Sequence, residues 1–190
     1  MSKSVLLCGV GGQGTILASK LIAAAAMNKN IPVLTAETIG MAQRGGSVVS
    51  HLRMGEGIHS PLIGKGKADI IIGFEPAEAV RMLPFLKEGG SVVVNSRPII
   101  PVTAALGGSD YNGQEMITYL KTKIKKLTVV DGDEAFKELE SSKVLNMVLL
   151  GAALRTGELS LSEEDIIEAM KQKLPEKFHE LNRKALNYRA

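Results

Sequence analysis

A glycine-rich segment near the amino terminus has the residue types and spacing of a phosphate-binding loop. Residues 9–14 read Gly-Val-Gly-Gly-Gln-Gly and match the pattern G-x-G-x-x-G. In such a loop Gly9 permits a tight turn, Gly11 lets the backbone approach a phosphate, and Gly14 allows close packing. Free amides at the start of the next helix attract an anion. The segment predicts nucleotide binding, although the same glycines can serve a turn that binds nothing. The candidate ligand-binding residues here are Gly9, Gly11, Gly12, Gln13 and Gly14.

A second polar segment precedes a predicted strand. Residues 41–47 read Met-Ala-Gln-Arg-Gly-Gly-Ser. The amide of Gln43 and the guanidinium of Arg44, followed by Gly45 and Gly46, could hold a phosphate, a carboxylate or a partner's loop. The alternative is a structural turn with an exposed arginine, because paired glycines also let a backbone bend.

Polar side chains also follow predicted strands at their carboxyl ends. Glu37 stands near the position from which an acidic residue holds a ribose. Glu75 follows the most apolar strand, and residues 95–98 (Asn-Ser-Arg-Pro) follow the next one. Open α/β sheets bind ligands at this edge, so these groups could meet the glycine loop in one crevice. The alternatives are a solvated or capping role for Glu37, and helix capping by Glu75 and Ser96.

The remaining reactive residue types have surroundings that favour structural roles. Cys8 lies in an apolar run, where a thiol is usually a core residue, and one cysteine cannot hold an iron–sulfur cluster, which needs about four thiolates. His51 and His59 have no partner at metal-ligand spacing. No nucleophile elbow, phosphate-loop lysine or acid/base pair is recognisable, so we predict a binding protein or subunit. Four lysines are interpreted as a solvated helix face: Lys121, Lys123, Lys125 and Lys126.

The elements that must position these residues alternate between strand and helix. The patterns predict a Rossmann-like, mostly parallel α/β sheet with flanking helices, in one domain of residues 1–190. Turn residues at 54–60 predict a β-hairpin excursion, and residues from about 142 to 190 predict a helical tail that packs on its own sheet. The predicted strands are residues 5–9, 32–36, 47–53, 68–74, 91–95 and 127–130. The predicted helices include residues 13–28, 76–87, 114–126 and 143–154. A final predicted helix after Pro175 presents one apolar stripe, made of Phe178, Leu181, Ala185 and Tyr188.

Composition narrows the class of protein. The chain has 190 residues, of which 45% are hydrophobic, enough to bury one sizeable core. A net charge of +3 gives no reason to expect binding to nucleic acid or to a membrane surface. The apolar run after the amino terminus is too short for a signal peptide, and the single cysteine suits a reducing, cytoplasmic setting.

An ordered set of segments resembles a known family. Residues 9–14, 41–47 and 68–76, the last reading Ala-Asp-Ile-Ile-Ile-Gly-Phe-Glu-Pro, resemble the gamma family of 2-oxoacid:ferredoxin oxidoreductases. Residues 145–152 are also similar to that family, so the resemblance covers nearly the whole chain. The length and the Ala-Glu-Thr of residues 36–38 most resemble the beta subunit of the indolepyruvate enzymes within it.

The resemblance implies a non-catalytic subunit of a heteromeric oxidoreductase that acts on indolepyruvate or other aryl pyruvates. In such enzymes thiamine diphosphate attacks the oxoacid, carbon dioxide leaves, electrons pass through iron–sulfur clusters to ferredoxin, and the acyl group goes to coenzyme A. It implies that a large partner subunit carries thiamine diphosphate and the clusters, and that the isolated chain is inactive. The equivalent domain of related enzymes implies a role in assembly or in closing the coenzyme A site. No catalytic residue carries over, and the ligand of the glycine loop stays open.

Two other interpretations remain open. A stand-alone dinucleotide dehydrogenase would use Gly9, Gly11 and Gly14 for the pyrophosphate and Glu37 for a ribose, but it lacks a recognisable catalytic group. An interaction protein would leave the glycine loop empty and dock its apolar tail on another chain, or form a homodimer when isolated.

Overall fold

The computed structural model describes residues 2–37, 45–99 and 111–189, and its strands form one six-stranded sheet. The sheet order is second, third, first, fourth, fifth and sixth strand. All pairings are parallel except those of the third strand, which runs antiparallel to both of its neighbours. The predicted α/β fold with a mostly parallel sheet is therefore confirmed. The strands are β1 (Lys3–Val10), β2 (Val33–Glu37), β3 (Ser47–Met54), β4 (Ala68–Gly73), β5 (Leu86–Asn95) and β6 (Lys126–Val130).

The antiparallel excursion is β3 itself. The turn residues after Met54 lead into residues 55–67, which contain no strand. The helix predicted over residues 76–87 ends at Met82, and the residues that follow the predicted range, Glu88–Gly90, lie inside β5. A register shift in the pairing of β4 with β5 accompanies a positive φ of 69° at Gly89, so the glycines form an irregularity of the strand.

The described residues form seven α-helices, none long and apolar enough to cross a bilayer. Residues 132–139 form a short helix that the sequence analysis did not predict. Its amphipathic face is confined to two turns, too short for a clear periodic pattern. The helices are α1 (Thr15–Asn28), α2 (Pro76–Met82), α3 (Gly113–Lys123), α4 (Gly132–Leu139), α5 (Leu145–Arg155), α6 (Glu163–Lys173) and α7 (His179–Leu186).

Helices cover both faces of the sheet. Val5 and Leu7 of β1 pack with α1 and α4–α7, whereas Leu6 and Cys8 pack with α2 and α3. Alternate residues of a strand point to opposite faces, so a strand buried on both sides reads as a continuous apolar run. The helix after β1 and the helix after β4 lie on opposite faces. The point where the sheet reverses its winding is thus between β1 and β4, where open α/β sheets place ligands.

The helical tail packs against its own domain, as predicted. Helix α5 is buried along its length in the larger core, beside α1 and α7. Of the predicted final stripe, Ala185 and Tyr188 are buried and Leu181 packs on the core. Phe178 is 43% exposed and lies outside the stripe.

A capping box begins α6 and yields a stability test. Ser162 Oγ accepts a hydrogen bond from the Asp165 backbone N–H (3.2 Å), and the Asp165 carboxylate accepts one from Ser162 N–H (2.8 Å). We expect Ser162→Ala to lower the free energy of unfolding by about 1 kcal/mol, because an amide of the first turn loses its partner. Urea denaturation measures this against Ser2→Ala, an exposed serine outside any helix. Equal stabilities of the two variants would contradict the prediction.

Candidate functional site

A crevice of about 670 Å³ opens at the carboxyl edge of the sheet, beside the glycine loop. It joins the glycine loop to the residues that follow β5, as the sequence predicted, and adds side chains from α4 and from the start of α5. The wall combines apolar side chains, such as Leu17, Ile99 and Phe136, with polar and charged ones. The crevice is lined by Gly12, Gln13, Gly14, Leu17, Asn95, Arg97, Pro98, Ile99, Phe136, Ser142, Lys143, Leu145 and Asn146.

The glycine loop is shaped by two left-handed glycines. Gly12 has a φ of 102° and Gly14 a φ of 87°, conformations that favour glycine. The backbone of Gly11 is hydrogen-bonded within the protein: its N–H donates to the carbonyl of Gly46 (2.8 Å), and its carbonyl accepts from the Gly45 N–H (3.3 Å). The Gly11 amide therefore closes the loop against the start of β3. The amides left for a ligand are those at the start of α1.

Gln13 fastens the loop to the end of β4. Its Oε1 accepts from the Val10 N–H (2.7 Å), and its Nε2 donates to the carbonyl of Phe74 (2.9 Å). Asn95 Nδ2 donates to the same carbonyl (3.0 Å). A Cβ on Gly9 would lie 2.7 Å from Phe74 Cβ, so Gly9 serves close packing inside β1. Protein groups fill the reversal point between β1 and β4, and the crevice lies beside it, towards β5.

Two helices begin at the crevice without a side-chain cap. Gly14 is the residue before α1 and Val144 the residue before α5; neither caps through a side chain, and neither helix has an acidic residue in its first turn. The dipoles of both helices favour an anion, and α1 adds the free amides of its first turn. Helix α5 instead continues a 3₁₀ turn (Ser142–Val144), at whose start Ser141 Oγ accepts from the Lys143 N–H (3.3 Å). Arg97 and Lys143 add two cationic groups to the wall. This end of the crevice can therefore hold two negatively charged groups at once.

The side chain of Arg97 is held by two contacts. Its guanidinium lies 3.3 Å from the carboxylate of Asp133 and 5.4 Å from the ring centroid of Phe136. The backbone N–H of Arg97 donates to Asn95 Oδ1 (3.3 Å), which fixes the turn after β5. A planar guanidinium over an aromatic ring offers a surface on which a heterocyclic base can stack.

Asn146 is the main site residue outside the predicted ligand-binding positions. It is 3% exposed, lines the crevice, and its Oδ1 has no hydrogen-bond partner among the described residues. A Cβ on Gly14 would lie 3.3 Å from its Nδ2. A signal was available, since Asn146 is the one polar residue in the apolar run 144–154. Phe136 and Lys143 carried no distinguishing pattern.

The expected ribose position of Glu37 is wrong. In this sheet β3 lies between β1 and β2, and Glu37 pairs with Ser50 of β3. Two strand spacings, about 10 Å, therefore separate the end of β2 from β1. In a Rossmann dinucleotide site the second strand lies next to the first. Gln43 and Arg44 lie outside the described residues, so their predicted role stays a prediction.

Glu75 faces away from the crevice and caps α2. Its Oε2 accepts from the Glu78 backbone N–H (3.0 Å), and its Oε1 accepts from the hydroxyl of Tyr111. Burial, together with this carboxylate, raises the pKa of Tyr111 above its usual range. Ser96 caps none of the helices in the described residues: its N–H donates to the carbonyl of Val130 (2.8 Å) and extends the pairing of β5 with β6.

The other reactive residues have structural surroundings, as predicted. Burial raises the pKa of the Cys8 thiol above its usual range, which keeps it protonated. His51 Nδ1 accepts from the Ile63 N–H (3.2 Å), and burial lowers the pKa of His51. Among the described residues no group of histidine, cysteine and carboxylate side chains could hold a metal ion. Lys121, Lys123, Lys125 and Lys126 are all exposed, but the predicted common helix face is wrong, because Lys125 follows α3 and Lys126 begins β6.

Comparison with known sequences gives near full-length matches. Residues 4–188 match the family described as pyruvate ferredoxin/flavodoxin oxidoreductase. The indolepyruvate oxidoreductase subunit IorB of Methanothermobacter thermautotrophicus is 37% identical over 97% of this chain and 94% of its own length. The IorB subunit of Archaeoglobus fulgidus is 38% identical over 98% and 92%. The common gamma subunit of the pyruvate/ketoisovalerate oxidoreductases of Pyrococcus furiosus is 28% identical over 93% of this chain and 89% of its own length.

Solved structures share the fold. The gamma subunit of a keto/oxoacid ferredoxin oxidoreductase from Geobacter sulfurreducens superimposes with a TM-score of 0.73 at 24% identity, over 98% of this chain and 93% of that one. A second structure is a 2-oxoglutarate:ferredoxin oxidoreductase from Magnetococcus marinus with 2-oxoglutarate, coenzyme A and succinyl-CoA bound. It superimposes with a TM-score of 0.68 at 22% identity, over 98% of this chain and 30% of that one. The same fold thus occurs alone and as one part of a longer chain.

Proposed function

The chain belongs to the pyruvate ferredoxin/flavodoxin oxidoreductase family, and from that premise we propose that it is the small, non-catalytic subunit of a heteromeric indolepyruvate:ferredoxin oxidoreductase. The observation that carries the proposal is its match at 37% and 38% identity, over nearly the full length of both chains, to two IorB subunits. The pyruvate/ketoisovalerate relatives are more distant, at 28% identity. Indolepyruvate or another aryl pyruvate is therefore the preferred substrate of the assembled enzyme.

In the proposed complex a large partner subunit carries thiamine diphosphate and the iron–sulfur clusters. Thiamine diphosphate supplies the carbanion chemistry that decarboxylates the oxoacid, and the clusters pass the electrons to ferredoxin. This chain has one cysteine, buried in β1, so it has no thiolate set for a cluster. Its own contribution is to bind and position, in the cytoplasm, while the partner subunit carries out the oxidation.

We propose that the crevice beside the glycine loop holds coenzyme A, the acceptor of the acyl group. The residues present suit this ligand. The first turns of α1 and α5, with Arg97 and Lys143, can bind a diphosphate. The apolar wall around Leu17 and Phe136 suits the adenine ring or the pantetheine arm. Of the predicted ligand-binding residues, Gly12, Gln13 and Gly14 line this crevice.

The stand-alone dehydrogenase is less well supported by the same geometry. Its dinucleotide would need the Gly11 amide for the pyrophosphate and Glu37 for a ribose. The Gly11 amide is used by Gly46, and β3 separates Glu37 from the loop. The sequence relatives also carry names of oxidoreductase subunits.

Native co-purification tests the proposal. We expect the chain to copurify with a large subunit that contains thiamine diphosphate and iron–sulfur clusters. The complex should reduce a ferredoxin or a low-potential dye when both an aryl pyruvate and coenzyme A are supplied, with lower activity on pyruvate. The isolated chain should be inactive, as a monomer or a homodimer. Recovery of an active chain alone, with a bound dinucleotide, would overturn the proposal.

A further inference from the structure

Asn146 has an environment that a packing role does not explain. Its side chain is 3% exposed, and its Oδ1 has no partner among the described residues. A buried acceptor without a donor is costly, whereas leucine, of similar length, would fill the same space in an apolar helix. The neighbours of Asn146 in α5 are buried and apolar. A polar side chain at this place therefore requires a partner that the described part of the chain does not provide.

The position of Asn146 indicates where that partner comes from. It lies in the first turn of α5, at the wall of the crevice, and its Nδ2 is 3.3 Å from the place that a Cβ of Gly14 would take. Glycine at this position lets the buried carboxamide lie directly against the glycine loop. Both uncapped helix starts are thus next to Asn146, and a ligand whose phosphates bind there would pass over its amide.

We propose that Asn146 binds a secondary amide of the pantetheine arm of coenzyme A and thereby distinguishes coenzyme A from nucleotides that lack the arm. A carboxamide presents one acceptor and one donor side by side, the complement of the N–H and C=O of an amide. Such an amide brings the N–H that Oδ1 lacks, whereas the diphosphate of coenzyme A offers only acceptors. The inference rests on the proposed binding of coenzyme A in this crevice, where Asn146 recognises the pantetheine arm.

Titration calorimetry on the assembled complex tests the inference, with coenzyme A and ADP as probes. For Asn146→Leu we expect a Kd for coenzyme A about tenfold higher and an unchanged Kd for ADP, since one buried amide contact is lost. The melting temperature should stay the same or rise, because an unpartnered polar group has been removed. A loss shared equally by both probes would place the contact on the nucleotide and overturn the inference. Unchanged affinities for both probes would mean that Asn146 contacts neither ligand, which would also overturn the inference.

A second variant tests the inference if Asn146→Leu fails to fold. Asn146→Asp keeps the size and the acceptor but, when ionised, loses the donor. We expect coenzyme A to bind weakly at pH 8 and to recover as the pH falls towards the pKa of the new carboxyl group, while the native complex shows no such recovery. A pH-independent affinity of this variant would also overturn the inference. If the native complex does not bind coenzyme A at all, the proposed site itself fails, which is a separate result.

Discussion

Replacing Gly151 by alanine is expected to lower the free energy of unfolding by about 3 kcal/mol, the upper range for overpacking in a core. Gly151 lies in the middle of α5, where that helix crosses the end of α7. A Cβ at this position would lie 1.9 Å from the carbonyl oxygen of Leu186 and 2.9 Å from its carbonyl carbon. Both are backbone atoms, so no side-chain rotation relieves the clash. Helix α7 must move away from α5.

That movement would break a second set of interactions. Arg155, one turn along α5, donates from Nη1 to the Leu186 carbonyl (3.3 Å) and from Nη2 to the Tyr188 carbonyl (2.8 Å). These bonds satisfy carbonyls at the end of α7 that have no partner within the helix. Leu186 and Tyr188 are also buried. Displacement of α7 therefore costs hydrogen bonds as well as packing.

Urea or guanidinium unfolding of the isolated chain measures the effect. Gly64→Ala is the matched control, because its new Cβ would meet only Lys67 Cγ at 3.8 Å. We expect the control to stay within about 0.5 kcal/mol of the native chain, as surface substitutions usually do. If Gly151→Ala is as stable as the control, the close crossing of α5 and α7 is wrong.

The fold was largely predictable because its strands carry strong local signals. β4 is apolar at nearly every position, and β1 ends in glycines, so a buried parallel sheet followed from pattern alone. The order of strands was not predictable in the same way. Whether β2 or β3 lies next to β1 depends on long-range pairing, for which periodicity gives no information. This is why Glu37 was placed near the glycine loop and lies two strands away.

The site was predictable only in part, because it also depends on contacts between residues that are distant in the sequence. Gly12 and Gly14 could be recognised because a turn before a helix restricts which residues fit. The residues that complete the crevice come from α4 and α5, more than 120 positions later in the chain. Phe136 and Lys143 look like ordinary surface or helix residues in sequence. Asn146 differs, because a lone polar residue in an apolar helix indicates a buried contact.

In the assembled complex, Lys143→Glu is expected to raise the KM for coenzyme A by at least about tenfold and to leave the KM for the oxoacid unchanged. Lys143 lines the crevice and lies two residues before the first residue of α5. The substitution turns an attraction for the diphosphate into a repulsion, and two charges a few Å apart interact by about 1 kcal/mol or more. Tenfold corresponds to about 1.4 kcal/mol.

The same substitution, Lys143→Glu, distinguishes an effect on coenzyme A binding from an effect on folding. A carboxylate at the start of a helix is favourable for the helix dipole, so the melting temperature should not fall. Lys121→Glu changes the net charge equally but lies on α3, across the sheet, and should leave both KM values unchanged. The difference between the two variants should shrink as salt is raised, because added ions screen the new charge. If both variants keep the native KM for coenzyme A, its phosphates bind elsewhere, and the two helix starts at the glycine loop serve the fold alone.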